Sequence, residues 1–371
     1  MKPAKRYQNI GISLIRQINA LATTQSVNLG IGEPNLEPDD TLREMAMRVA
    51  ASGSWHYTAN AGNLSLRKKI VAGTGLDPKD EICVTAGTQQ ALYAIFQAYV
   101  DEGDEVLVPD PGFVAYPTLT TICGGTPVPY ALEPPDWKLD AGAVLKKITK
   151  RTKLIVVNSP SNPLGSVIDR DALQAIAQAG PLIVSDEIYS QIWYQAPPPS
   201  MLGMGRNVIV LNGLSKSHGM TGLRLGWILA DQAVLKPILT AHSYIATCAS
   251  AFSQQLAEMI LDAPEWNEAW LASVRAQFRE QREAALYSVE HELEAKIPPP
   301  AGAFYVFAPV PAADTLSFAK TLATDEGVLV IPGVAFGNAG EGFVRISFAA
   351  ATGTIGTGIE RMGRYLRAAS R

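Results

Sequence analysis

Short runs of consecutive apolar residues recur along the first two thirds of the chain, separated by stretches with helical periodicity. Near-continuous Val, Ile and Leu over about four to eight positions is typical of strands covered on both faces, as in parallel sheets. The runs are 82–85, 105–109, 153–158, 181–185, 208–211 and 223–230. The pattern predicts an α/β sandwich with a mostly parallel central sheet of about seven strands.

The segments before the first of these strands are shorter. Residues 10–22 have the spacing of an amphipathic helix, and residues 27–34 (VNLGIGEP) read as a brief strand that ends in a Gly-x-Gly turn. After the strand at 82–85 come Ala86-Gly87-Thr88 and a helix over 89–99. A strand, a glycine turn and a helix start leave free backbone N–H groups facing a possible anion.

The pattern changes after residue 263. Residues 265–294 form one long charged helix, which IPPPAG ends abruptly because proline cannot continue a helix. Strands near 304–307, 328–331 and 343–348 follow, with a closing helix over 356–369. We therefore predict a large α/β domain over 38–262 and a small α+β domain made of 1–37 and 263–371.

Composition narrows the class of protein. The 371 residues are 47% apolar and 18% charged, with a net charge of −4, which fits a soluble enzyme and gives no basic surface for nucleic acid. No apolar run approaches the roughly 18 residues of a membrane span, and the amino terminus lacks the pattern of a signal peptide. Three scattered cysteines without metal-ligand spacing favour a reducing compartment, so we expect a cytoplasmic protein without a metal site.

One lysine interrupts the apolar segment NVIVLNGLSKSHGMTGLRLGW, which covers 207–227. Most lysines point into water, so an exposed loop residue is the ordinary interpretation of Lys216. The alternative is a desolvated Lys216 with a lowered pKa, whose amine forms a Schiff base. Arg224, between Gly222 and Gly226, favours the alternative because glycines let the backbone approach a bound anion.

Polar residues also follow several predicted strands. Asn162 comes after the strand at 153–158, Asp186 after 181–185 and Lys216 after 208–211. Ligands of open α/β sheets bind at the carboxyl ends of the strands. We therefore expect these three side chains to share one site.

Taken together, these segments resemble a known family. S-K-(x)5-G-x-R-x-G followed by an aromatic residue is similar to the lysine segment of class I and II aminotransferases, which are pyridoxal phosphate (PLP) enzymes of fold type I. The string from Tyr57 to Arg67 resembles the family's Tyr-(x)4-Gly-(x)3-Leu-Arg signature, and SNPLG resembles its Asn-Pro-x-Gly. The resemblance extends over nearly the whole chain.

The resemblance implies pyridoxal 5'-phosphate as cofactor and a role for each matching residue. Lys216 would form the Schiff base and carry protons, Asp186 would face the pyridine nitrogen, and Tyr189 and Asn162 would contact the phenolic oxygen. The remaining cofactor-binding residues would be Gly87, Thr88, Ser215 and Arg224 around the phosphate, Phe113 against the ring, and Tyr57 from the other subunit of a homodimer. The substrate would be bound by Gly32, Tyr116, Asn162 and Arg345, whose guanidinium suits an α-carboxylate.

The implied activity is transfer of an amino group between an L-amino acid and a 2-oxo acid by a ping-pong mechanism. A PLP-dependent β-lyase or decarboxylase on the same fold is the nearest alternative, and a non-catalytic PLP-binding regulatory module is another. A nicotinamide-dependent dehydrogenase is disfavoured by the lack of G-x-G-x-x-G after the first strand. Gln89 stands where the aspartate-specific bacterial branch has a lysine, which argues against a dedicated aspartate enzyme.

Overall fold

The structure is a computed structural model that describes residues 2–8 and 10–369. The strands in these residues are β1 (Val27–Asn28), β2 (Ile82–Thr85), β3 (Glu105–Asp110), β4 (Thr126–Ala131), β5 (Thr152–Asn158), β6 (Leu182–Asp186), β7 (Val208–Gly213), β8 (Gly226–Leu229), β9 (Tyr305–Pro309), β10 (Val328–Leu329), β11 (Ile331–Pro332) and β12 (Phe343–Ser347). The helices are α1 (Leu14–Asn19), α2 (Asp40–Ser52), α3 (Leu64–Ile70), α4 (Thr88–Tyr99), α5 (Ala115–Ile122), α6 (Ala141–Lys146), α7 (Arg170–Ala177), α8 (Gln232–Ala246), α9 (Ala251–Leu261), α10 (Pro264–Glu292), α11 (Thr315–Asp325) and α12 (Thr352–Ala369).

Seven strands form the central sheet, in the order β2-β8-β7-β6-β5-β3-β4. Strand β8 runs antiparallel to both β2 and β7, whereas the other neighbouring pairs are parallel. The prediction of a mostly parallel sheet of about seven strands is therefore confirmed.

Apolar side chains cover both faces of this sheet. Val106 and Val108 pack into the cluster formed with α4, α5 and α8, while Leu107 between them joins the larger cluster on the opposite face. Leu154 and Ile155 divide between the faces in the same way. The alternation explains why these strands read as continuous apolar runs, since neither face is left to water.

The carboxyl ends of the central strands are where the polar residues collect. Strand β5 ends at Asn158 and β6 at Asp186, and β7 ends three residues before Lys216. These strands are parallel neighbours, so their ends lie along one edge of the sheet.

A second group of strands comes from both ends of the chain. Strands β11, β12 and β9 form an antiparallel sheet, in which Arg345 lies opposite Phe307 and Ile331. The single strand predicted over 328–331 is instead two short strands, because β10 pairs with β1 and β11 pairs with β12. The proposed division into domains 38–262 and 1–37 with 263–371 stays a prediction.

Two long helices lie beside the second group. Helix α10 spans 264–292, close to its predicted bounds, and packs against α12. Within the described residues, no helix combines the length and apolarity needed to cross a membrane.

Candidate functional site

A cavity of about 270 Å3 opens at the carboxyl edge of the central sheet. Eleven of the predicted cofactor- and substrate-binding residues line it, although they are spread over more than 300 positions of the chain. They are Gly32, Thr88, Phe113, Tyr116, Asn162, Asp186, Tyr189, Ser215, Lys216, Arg224 and Arg345. Asn162, Asp186 and Lys216, which follow three different strands, therefore lie around one cavity, as expected.

Lys216 lines this cavity, and its amine Nζ donates a hydrogen bond to the carbonyl of Gly32 at 2.7 Å. Desolvation is the main reason that the pKa of the amine is lowered to about 8. The charge of Arg345 contributes to the same shift, while the charge of Glu33 opposes it. Lys216 is therefore the desolvated lysine of the second interpretation rather than an exposed loop residue.

Asp186 is a buried carboxylate whose hydrogen-bond partners are both neutral. Its Oδ2 accepts from the hydroxyl of Tyr116 at 2.8 Å, and its Oδ1 accepts from the backbone N–H of Ile188 at 3.3 Å. Burial raises the pKa of this carboxyl, and the hydrogen bonds and the charge of Lys216 act against that rise. A buried carboxylate in such surroundings is suited to a cationic group of a ligand.

Arg224 is held in an unusual backbone conformation at the edge of the cavity. Its φ of 53° lies in the left-handed region, which is uncommon for residues other than glycine and marks local strain. Its Nη1 donates to the carbonyl of Thr221 at 2.8 Å, which fixes the guanidinium next to the start of α4.

Gly87 does not line the cavity but provides space for the Arg224 guanidinium. It precedes α4 with a φ of 82°, and a Cβ atom at this position would lie 2.6 Å from Nη2 of Arg224. A glycine is therefore required here both by the backbone and by the arginine. The first N–H groups of α4 and the guanidinium together make a positively polarised corner that can bind an anion.

Arg345 is fully buried on β12, at 1% exposure. Its Nη1 donates to Oδ1 of Asn162 at 2.9 Å and its Nη2 donates to the carbonyl of Gly30, while Nε has no partner. The guanidinium carbon lies 4.5 Å from the ring centre of Tyr305. A buried guanidinium that is held by neutral oxygens and an aromatic ring can bind a ligand carboxylate.

Tyr189 and Tyr305 form a pair that the sequence did not reveal. Their hydroxyl oxygens are 2.9 Å apart, both rings are buried, and both residues line the cavity. Desolvation raises the pKa of both phenols. Tyr305 was missed because it lies 116 residues from Tyr189, in a strand read only for its apolar pattern.

Asn158 is a second residue that was missed. Its Nδ2 donates to the carbonyl of Asp186 and its Oδ1 accepts from the N–H of Asn162, both within 2.9 Å. It thereby links the ends of β5 and β6. Its position as the last residue of β5 could have singled it out by the strand-end argument that was applied to Asp186.

Tyr57 stands apart from the other predicted site residues. Its side chain is 86% exposed and does not line the cavity of its own chain. Trp55 and Tyr244 are also strongly exposed, at 76% and 90%.

Comparisons with known proteins agree with this geometry. Residues 24–357 match the family model described as aminotransferase class I and II. The chain is 35% identical over 362 residues to a probable aspartate aminotransferase of Methanocaldococcus jannaschii, covering 93% of this chain and 95% of that protein. It is 32% identical over 387 residues to aromatic-amino-acid aminotransferase 2 of Thermococcus litoralis, covering 99% of each.

A solved structure of aspartate aminotransferase from Thermus thermophilus with maleate superposes with a TM-score of 0.93 at 31% identity, covering 99% of this chain and 100% of the other. The family model, the sequence relatives and the similar solved structure are therefore all aminotransferases. The chain belongs to the class I and II aminotransferases, a family of enzymes that use pyridoxal phosphate.

Proposed function

We propose that the cavity at the sheet edge is the active site, in which the amino group of an L-amino acid is transferred to a 2-oxo acid. The observation that carries the proposal is the desolvated amine of Lys216, which lies in one cavity with Asp186, Arg224 and Arg345. These four side chains would supply the covalent link to the cofactor, the contact to its ring nitrogen, and the cations that bind the phosphate and the substrate carboxylate.

The chain's residues fit pyridoxal phosphate. Asp186 is buried without a cationic hydrogen-bond partner and would face the protonated ring nitrogen. The corner formed by Thr88, Ser215 and Arg224 would hold the phosphate, and Gly87 leaves room for the guanidinium of Arg224. Phe113 would lie against the ring, and Tyr189 and Asn162 would contact the phenolic oxygen.

When bound, the cofactor supplies an aldehyde that takes up the amino group and a ring that withdraws electrons from the substrate Cα. Lys216 would hold the cofactor covalently and, once its amine is free, accept and return the Cα proton. A pKa of about 8 leaves much of the amine neutral near that pH and able to act as a base. Arg345 would bind the substrate carboxylate, with Gly32 and Asn162 beside it, and so fix the Cα–H bond towards Lys216.

Tyr116 would act on the cofactor side of the cavity as well as line the substrate pocket. Its hydroxyl donates to Asp186 at 2.8 Å, which stabilises the ionised carboxylate in its buried position. Because that hydroxyl is already engaged, we assign Tyr116 chiefly to support of Asp186.

The test combines borohydride trapping with product analysis on the purified holoenzyme. We expect the reduced cofactor to be attached to Lys216, and each amino acid that reacts to release its 2-oxo acid without ammonia or carbon dioxide. Initial rates at several fixed concentrations of the second substrate should give the parallel double-reciprocal lines of a ping-pong mechanism. Ammonia would indicate the β-lyase, carbon dioxide the decarboxylase, and an absence of turnover the regulatory module.

We further propose a homodimer in which Tyr57 reaches the active site of the other subunit. The support is that Tyr57, Trp55 and Tyr244 expose large aromatic surfaces, which is typical of a protein interface. A cytoplasmic location is also proposed, since a reducing compartment would keep the thiols of Cys83, Cys123 and Cys248 free, as they are here.

A further inference from the structure

Three basic side chains line the cavity, and each has a place in the proposed reaction. Among the described lining residues these are Lys216, Arg224 and Arg345, assigned to the cofactor, its phosphate and the substrate α-carboxylate. The remaining charged residue of the lining is the carboxylate Asp186. No described basic group of this wall is therefore left to bind a second carboxylate on the substrate.

The neutral residues that remain are poor partners for a negative charge. Ile15 of α1 is a half-buried apolar residue of the lining, and Tyr305 already shares its hydroxyl with Tyr189. The hydroxyl of Thr221 donates to the carboxylate of Glu33, so it is engaged and has a negative group beside it. Asn158 already uses its amide for the bonds to Asp186 and Asn162, which leaves Gln89 as a neutral polar group of the lining.

Exposed apolar residues lie close in sequence to two residues of the lining. Ile31, next to Gly32, is 43% exposed, and Ile12, three positions before Ile15, is 70% exposed. Apolar side chains in these positions favour an apolar ligand group, because its burial releases their water.

We propose that the amino-acid substrates of this enzyme have uncharged side chains, with apolar ones favoured, and that aspartate and glutamate are poor substrates. The inference rests on the proposed function and specifies its substrate class. A distal carboxylate on this wall would lose its hydration without gaining a cation from the same chain, which is strongly unfavourable. This specificity would differ from that of several relatives, which are named as aspartate aminotransferases.

The test compares amino acids that differ in charge but hardly in shape. With excess amino acid, the change in cofactor absorbance of the holoenzyme gives kcat/KM for the half-reaction with glutamine and glutamate, asparagine and aspartate, and methionine and leucine. We expect methionine and leucine to react fastest, and each amide to exceed its acid by roughly 100-fold or more. Faster reaction with aspartate or glutamate would overturn the inference and leave the proposed function intact, whereas no reaction with any amino acid would refute the proposed function itself.

A matched pair of variants tests the cause. Ile15→Lys places a cation in the lining, and Ile12→Lys adds the same charge at a 70% exposed position of the same segment. The ratio of the rates with glutamate and glutamine should rise at least about tenfold in Ile15→Lys and stay unchanged in Ile12→Lys. If the ratio of the rates with glutamate and glutamine were the same in Ile15→Lys, Ile12→Lys and the wild type, and the cofactor spectrum of each variant were intact, the lack of a cation would not explain the specificity.

Discussion

At the scale of single residues, Lys216 is expected to lower the stability of the fold that uses it. Desolvation lowers the pKa of its amine from about 10.5 in the unfolded chain to about 8 in the folded one. The folded protein therefore binds this proton less tightly, and the resulting loss of stability is complete below pH 8 and disappears as the pH rises to about 10.5. The proposed catalytic amine thus destabilises the folded protein, as active-site residues often do.

The variant Lys216→Met tests this relation. We expect it to abolish transamination and to raise the free energy of unfolding of the cofactor-free protein by about 1–3 kcal/mol at pH 7, with a smaller gain at pH 10. Urea unfolding at both pH values provides the measurement. Lys68→Met, at an exposed position of α3, serves as the control and should change stability by less than about 0.5 kcal/mol. A gain at pH 7 no larger than in this control would contradict the prediction.

The hydroxyl of Tyr305 would act on the cofactor through Tyr189. If Tyr189 donates its proton to the phenolic oxygen, as proposed, Tyr305 is the donor within the 2.9 Å pair and strengthens the hydrogen bond that Tyr189 donates. Tyr305→Phe should therefore raise the pKa seen in the absorbance of the bound cofactor, by roughly half a unit to one unit. Tyr194→Phe is the matched control, because that buried hydroxyl donates to the carbonyl of Ala303 and does not line the cavity. A change of equal size in both variants would show that the effect is merely structural.

At the scale of elements, the turn between β2 and α4 shapes the proposed phosphate site. Gly87→Ala would place a methyl group 2.6 Å from Nη2 of Arg224, whereas Gly73, with a similar φ of 77°, has no atom within 4 Å of its Cβ position. Both substitutions should cost about 1 kcal/mol through the backbone, but only Gly87→Ala should weaken binding of pyridoxal phosphate, by about tenfold or more. Equilibrium dialysis and urea unfolding separate the two effects. Equal affinities in the two variants would mean that Arg224 does not need this space.

The elements also show where sequence patterns are sufficient and where they are not. The buried strands β2, β3, β5, β6 and β7 could be read from their apolar runs, because both faces are covered. Strand β4 could not, since Pro127 and Pro129 argue against a central strand and are tolerated only because β4 lies at the sheet edge. Edge position is a property of the completed sheet rather than of the six residues concerned.

The segment that follows β1 depends on distant parts of the chain. A brief strand ending in a Gly-x-Gly turn was predicted within 27–34, and the strand is Val27–Asn28, with Leu29 adding backbone hydrogen bonds to Leu329 and Ser347. The carbonyls of Gly30 and Gly32 accept hydrogen bonds from Arg345 and Lys216 instead of continuing a ladder. This local structure therefore depends on residues more than 180 positions away in the sequence. The contact between Tyr305 and Tyr189 likewise joins distant parts of the chain. The sequence motifs were sufficient to identify most side chains of the candidate site. The contacts between these side chains could be seen only in the folded structure.

At the scale of the whole molecule, the proposed role of Tyr57 makes each active site depend on two chains. Tyr57 is 86% exposed and absent from the cavity of its own chain, so a contribution to catalysis requires a second subunit. In a symmetric dimer this dependence is reciprocal: each subunit lends its Tyr57 to the site that holds the partner's Lys216. Two variants that are each impaired can then complement one another.

Mixing subunits of Tyr57→Ala and Lys216→Met tests this arrangement. Each hybrid dimer should contain one site with both Tyr57 and Lys216 and one site with neither. Random reassociation of equal amounts would restore about one quarter of the wild-type activity, because half of the dimers are hybrids and each has one complete site. The same variants kept in separate solutions provide the baseline. If mixing restored nothing although hybrids form, as native mass spectrometry can establish, Tyr57 would have to act within its own chain or not at all.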